Sequence, residues 1–140
     1  MRTSAAFLAV SLGLACGEPP APPVAERYAG SWAGRSMVAS SDTGTPWSMV
    51  LSVADSELAG TLTFTGTSLV PVGIRTISVT ESTLVQEVGP YYSPTAKAEV
   101  VTRASATLTS DSTLEGLFIM LPAAGGDTIV GTFRAKRMGS

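Results

Sequence analysis

From Trp32 onward, apolar and polar side chains alternate almost one for one, and no stretch carries the i, i+3, i+4, i+7 stripe of an amphipathic helix. Successive side chains of an extended strand point to opposite faces, so strands are the structure that gathers the apolar half on one side. Trp47, Met49, Leu51 and Val53 share one face against Ser48, Val50, Ser52 and Ala54. Leu58, Gly60, Leu62 and Phe64 oppose Ala59, Thr61, Thr63 and Thr65. A longer run sets Ala98, Val100, Thr102, Ala104, Ala106 and Leu108 against Lys97, Glu99, Val101, Arg103, Ser105 and Thr107. Abundant threonine and serine fit this pattern, because β-branching suits strands and short polar side chains compete with a helical backbone.

An internal echo marks the hairpins. Asp55-Ser56-Glu57-Leu58-Ala59-Gly60 recurs as Asp111-Ser112-Thr113-Leu114-Glu115-Gly116, with a partial copy at Glu81-Ser82-Thr83-Leu84; each is a turn followed by a strand start. Gly60, Gly116 and Gly131 fall on inward faces, where a missing side chain lets a closing sheet bend. The runs place strands near residues 31–39, 46–54, 58–66, 69–80, 83–88, 96–109, 113–121 and 127–137. Their connections are too short for parallel crossovers. The expected fold is therefore all-β, an eight-stranded antiparallel up-and-down barrel that closes to remove its edges. Pro71 and a change of parity at Arg75-Thr76 predict a bulge or break in the fourth strand. Outward faces carrying Ser, Thr, Lys and Glu, without aromatic girdles, argue against a lipid-spanning barrel.

The chain has no histidine, 14 % charged residues and a formal charge of −2. Without imidazole there is no Ser-His or Cys-His nucleophile and no ordinary proton shuttle near neutral pH. Asp55, Glu57, Asp111, Glu115 and Asp127 sit at turns, where capping and solvation account for them, and none has the setting of an acid–base pair. No enzyme activity, cofactor or metal site is expected; carboxylates alone would need a calcium-type loop, and the chain has none. Single basic residues scattered from Arg27 to Arg137 form no stripe for a phosphate backbone, so nucleic acid is not an expected partner.

At the N-terminus, Arg2 precedes an apolar run from Ala5 to Ala15, too short to cross a bilayer core that needs about 20 helical residues. It reads as a secretory signal over residues 1–15. The run stops at Cys16, the only cysteine. Leu12-Gly13-Leu14-Ala15-Cys16-Gly17 resembles the lipobox of bacterial lipoproteins, with Gly13 where that family usually has leucine. The resemblance implies that Cys16 is the acylated first residue of the mature chain and anchors it to a membrane. Gly17, in place of the aspartate used for inner-membrane retention, implies the outer membrane of the cell envelope. The other reading is an ordinary signal peptide cleaved after Ala15, leaving a free thiol. Residues 16–27, with Pro19, Pro20, Pro22 and Pro23, form an expected polyproline tether or, alternatively, a proline-rich partner motif. The barrel domain is expected over residues 28–140.

Gly30-Ser31-Trp32 opens the first strand and Arg134 to Arg137 close the last. Here the chain resembles the lipocalin and avidin group of small barrels, in which a Gly-x-Trp on the first strand packs beneath an arginine from the barrel's end. Parity chooses Arg137: Ile129, Gly131, Phe133 and Ala135 face inward, so Arg137 does too. The resemblance implies that Arg137 covers Trp32 by cation–π stacking, as a plug or, less simply, as a ligand contact. The tryptophans that line a biotin site on later avidin strands have no counterpart after Trp47, and biotin binding is not carried over.

Leu51, Leu62, Phe64, Leu108, Phe118 and Phe133 are the candidate lumen wall. Trp47 and Met49 rim a mouth or pack in the core. Tyr91 and Tyr92, in the proline-bounded stretch Gly89 to Pro94, form a loop that is a lid, a partner contact or ordinary packing. Leu117 to Leu121 is apolar on both faces and, with Val130, seats a partner, a second copy or lipid, unless a loop covers it. Two functions follow. One is a lipid-anchored barrel holding a small apolar or amphipathic ligand; the other is a structural or interaction protein of the envelope with a filled core. A lumen above roughly 300 Å³ decides for the first.

Overall fold

The computed structural model describes residues 24–38, 43–66 and 70–139. Cys16 and the proline-rich stretch before Val24 lie outside them. Eight strands follow one short 3₁₀ helix, Val24–Arg27: β1 (Gly30–Met37), β2 (Thr45–Ala54), β3 (Glu57–Phe64), β4 (Val72–Val79), β5 (Thr83–Ser93), β6 (Ala98–Ser110), β7 (Thr113–Pro122) and β8 (Ile129–Arg137). Each pairs antiparallel with its neighbour, and β8 pairs with β1, so the sheet is a closed up-and-down barrel. This is the architecture that the alternation and the short connections predicted.

The inward faces are those read from parity. Met49, Leu51, Leu58, Leu62, Val100, Ala106, Phe118 and Ala135 are buried, while their strand neighbours are mostly exposed. The inward glycines explain the closure. A Cβ at Gly60 would collide with the backbone carbonyl of Val50, and one at Gly116 with the carbonyl of Ser105. At these two points the adjacent strand crosses the space a side chain would need, which lets the sheet coil tightly. In β4 the pairing with β5 slips between Thr76 and Ser78, at the expected irregularity.

Two expectations change. The fifth strand, expected to stop at 88, runs on to Ser93, and Gly89 to Tyr92 belong to the sheet rather than to a loop. The register slips between Val88 and Tyr91, Gly89 takes a φ of 115°, and Pro90 sits in the slip, where no ladder hydrogen bond is asked of it. The expectation of a tether reaching residue 27 also changes. Val24–Arg27 is helical, with Ala25 buried against the barrel.

That helix closes one end, where the three echoed turns also gather. Leu58, Leu84 and Leu114, the leucines of the echo, are all buried there. Tyr28 is buried beside them and donates its hydroxyl to the carbonyl of Thr80 at 2.9 Å. Trp32 is fully buried, its indole N–H donating to the Tyr28 carbonyl at 2.9 Å. The Arg137 guanidinium lies 4.3 Å from the centroid of the Trp32 ring, the contact that parity and the resemblance pointed to. It also donates to the carbonyls of Arg27 at 2.6 Å, Asp111 at 3.0 Å and Ala29. One side chain thus ties together three carbonyls where the helix and a hairpin meet.

Candidate ligand-binding site

Above this plug the interior is not filled. A cavity of about 650 Å³ occupies the other half of the barrel, with its mouth among Val70, Pro71, Tyr92, Pro94 and Thr95. Its wall is mainly apolar, and among the described residues no Asp, Glu, Lys or Arg lines it. The charges pair outside instead: Glu87 on β5 lies 3.1 Å from Arg75 and 3.6 Å from Arg103, its cross-strand neighbours, and Glu115 lies 3.1 Å from Arg134. Such exposed pairs contribute little to stability, but they leave the lumen neutral.

Leu62, Phe64, Phe118 and Phe133 line the cavity as expected. Leu51 and Leu108 do not. Leu51 faces Gly30 across β1 and belongs to the packed core around Trp32, against which Leu108 also packs. Both stand a few residues before a closed-end turn, and parity gives the face of a residue but not its height along the barrel.

Trp47 and Met49 are not a rim. They are buried in the cavity wall, where Trp47 donates its indole N–H to Ser36 Oγ at 2.7 Å and meets Phe133 edge-on, with centroids 6.0 Å apart. A side chain at Gly34 would strike the Trp47 ring, so glycine on β1 makes room for the indole. Tyr91 and Tyr92, one residue apart on a strand, point opposite ways. Tyr92 is 66 % exposed. Tyr91 turns inward, shares a 2.8 Å hydrogen bond with Thr102 Oγ1, and meets the Phe64 ring at 5.2 Å. β4 begins only at Val72, level with Leu62, so the aromatic side chains of the flanking strands touch above its start. Burial raises the Tyr91 phenol above its ordinary value, against the opposing effect of the Thr102 hydrogen bond, and the hydroxyl is neutral at physiological pH.

The residue that parity should have flagged is Gln86. It sits between inward Leu84 and Val88, is 5 % exposed, lines the cavity, and its amide nitrogen has no hydrogen-bond partner. A polar residue in phase with two apolar ones on a strand was the available signal. Outside the barrel, Leu117, Ile119 and Val130 form an exposed apolar strip on β7 and β8. Among the described residues no group of three or more His, Cys, Asp and Glu lies close enough to hold a metal.

No protein-family model and no curated protein matches the chain. Solved structures with the same fold do. A redesigned β-barrel is 14 % identical with a TM-score of 0.57, covering 84 % of this chain and 96 % of its own. A structure of EF1p2_mFAP2b bound to DFHBI is 12 % identical with a TM-score of 0.57, covering 83 % and 98 %. A redesigned β-barrel, mFAP1, also bound to DFHBI, is 10 % identical with a TM-score of 0.53, covering 83 % and 99 %. At these identities the likeness is one of fold.

Proposed function

We propose that the chain is a binding protein that holds a small, neutral, largely apolar molecule in the open half of its barrel. The cavity of about 650 Å³ carries this reading, because it lies within the range of small-molecule sites and exceeds what a filled-core barrel would leave. Among the described residues no charged side chain lines it, which favours a neutral guest, since an ionised one would lose its hydration for no opposing charge. Two barrels of the same fold were solved with DFHBI bound, which supports the idea that a barrel of this size accommodates a small molecule. The role is binding rather than catalysis, since among the described residues the ionisable side chains of the wall are the phenols of Tyr91 and Tyr92, and burial keeps that of Tyr91 neutral.

The lipobox-like Leu12 to Gly17 supports the second part of the proposal, that the barrel works outside the cytoplasm on an acyl anchor at Cys16, in the outer membrane. Titration with N-phenyl-1-naphthylamine, a neutral fluorophore, tests the lumen. Saturable binding is expected, lost in Ala104→Phe, which fills the cavity from β6; no binding by the folded wild type would refute the reading. Palmitate incorporation that survives Cys16→Ser would refute the anchor.

A further inference from the structure

Resting on the binding role proposed above, we infer that the ligand carries a carbonyl on one edge and that this group docks on the side-chain amide of Gln86. The wall is unequal around its circumference. On the β2 and β3 side it consists of Trp47, Met49, Leu62 and Phe64, with the Thr45 hydroxyl at the start of β2, and the indole nitrogen is already bonded to Ser36. On the β5 and β6 side stand Gln86 and the Tyr91–Thr102 hydroxyl pair.

Gln86 is 5 % exposed, and its buried amide nitrogen meets no acceptor. The nearest hydroxyl by register, Thr76 on β4, does not supply one; its own oxygen is buried and unpartnered too. A fold selected for stability alone would pair these two groups or replace them with apolar ones, because an unmade hydrogen bond in the interior costs more than a missing one. On the other flank, Ala104 of β6 lies directly across from Gln86, and its methyl leaves the space beside the amide open. The terminal torsion of glutamine is broad and two-fold, so the NH₂ turns into that space without rotamer strain. Two residues along β6, Thr102 and Tyr91 share one hydrogen bond between two hydroxyls, which leaves one O–H proton for a second contact on the same edge. A flat guest with its carbonyl toward β5 and β6 and its apolar face toward Trp47 meets both the Gln86 amide and the spare hydroxyl proton.

A matched pair of probes tests this. One is 6-propionyl-2-dimethylaminonaphthalene, whose emission moves to the red when its ketone accepts a hydrogen bond; the other is the analogue with a methylene in place of the carbonyl. In Gln86→Leu and Gln86→Met the ratio of ketone to alkyl affinity is expected to fall about tenfold, the factor that one net hydrogen bond gives. The bound ketone should emit further to the blue, and the empty barrel should melt at a higher temperature. An unchanged ratio overturns the docking of the carbonyl on Gln86 while leaving lumen binding intact. A lower melting temperature in both variants overturns it as well, because the amide would then serve the fold. If neither probe binds the wild type, the binding role itself falls, and this inference with it.

Discussion

The two ends of the barrel are made from the same strands, yet one is packed and the other hollow. At the closed end the inward positions carry Trp32, Leu51, Leu58, Leu84 and Leu114, and the N-terminal helix adds Ala25 and Tyr28 from below. Arg137 donates there to the backbone carbonyls of Arg27, Ala29 and Asp111. At the open end the inward positions hold Ser36, Thr45, Thr102 and Ala104, too small to meet across the lumen, and the aromatic side chains stay against the wall. The difference teaches that a barrel of this size needs one dense layer for stability and that, once this layer exists, the other half is free to carry a cavity with unpaired polar groups.

The sharpest way to break that division of labour is truncation at either end. Trp32→Ala should cost about 3–5 kcal/mol, measured by denaturant unfolding. Phe64→Ala, already bordering open space, should cost about half as much; equal losses would mean that the open half is as structural as the closed one. Arg137→Met keeps the alkyl stem but removes the carbonyl contacts and the cation over the indole, and should lose about 2 kcal/mol with fluorophore affinity unchanged. A parallel loss of affinity would show that the ends are coupled. Gln86→Leu should gain about 1 kcal/mol, since it removes a buried group without a partner. Destabilisation there would contradict the view of the open half as the functional one.

The smallest effect is alkaline. Burial raises the phenols of both Tyr28, where the Arg27 charge opposes it, and Tyr91, where Thr102 does. The neutral phenol is thus favoured in the folded barrel. Its contribution is intact below the ordinary value of 10.0 and is lost as pH rises from there through the raised folded value. Unfolding measured between pH 9 and pH 11 should show this decline, and Tyr91→Phe should flatten it by the open end's share.

Much of this was legible beforehand. Alternation located every strand, the inward glycines announced closure, and parity on β8 singled out Arg137 for Trp32. What misled was local chemistry that the barrel overrode. The Gly89-Pro90 step has the composition of a loop, but a register slip in β5 against β6 absorbs it and the ladder resumes at Tyr91. Val24 to Arg27 continues a proline-rich stretch, but contact with the barrel end folds it. Leu51 and Leu108 face inward as expected, yet below the cavity rather than around it.

The order of polar and apolar residues by itself determined which side chains face inward, because the two-residue period of a strand is a local property of the backbone. Which inward residues meet and which leave space between them was decided only by the closed sheet. Stagger between strands sets the height at which each side chain enters the lumen, so the packed layer at Trp32, the hollow at Ala104 and the unpartnered amide of Gln86 exist only once all eight strands are in register.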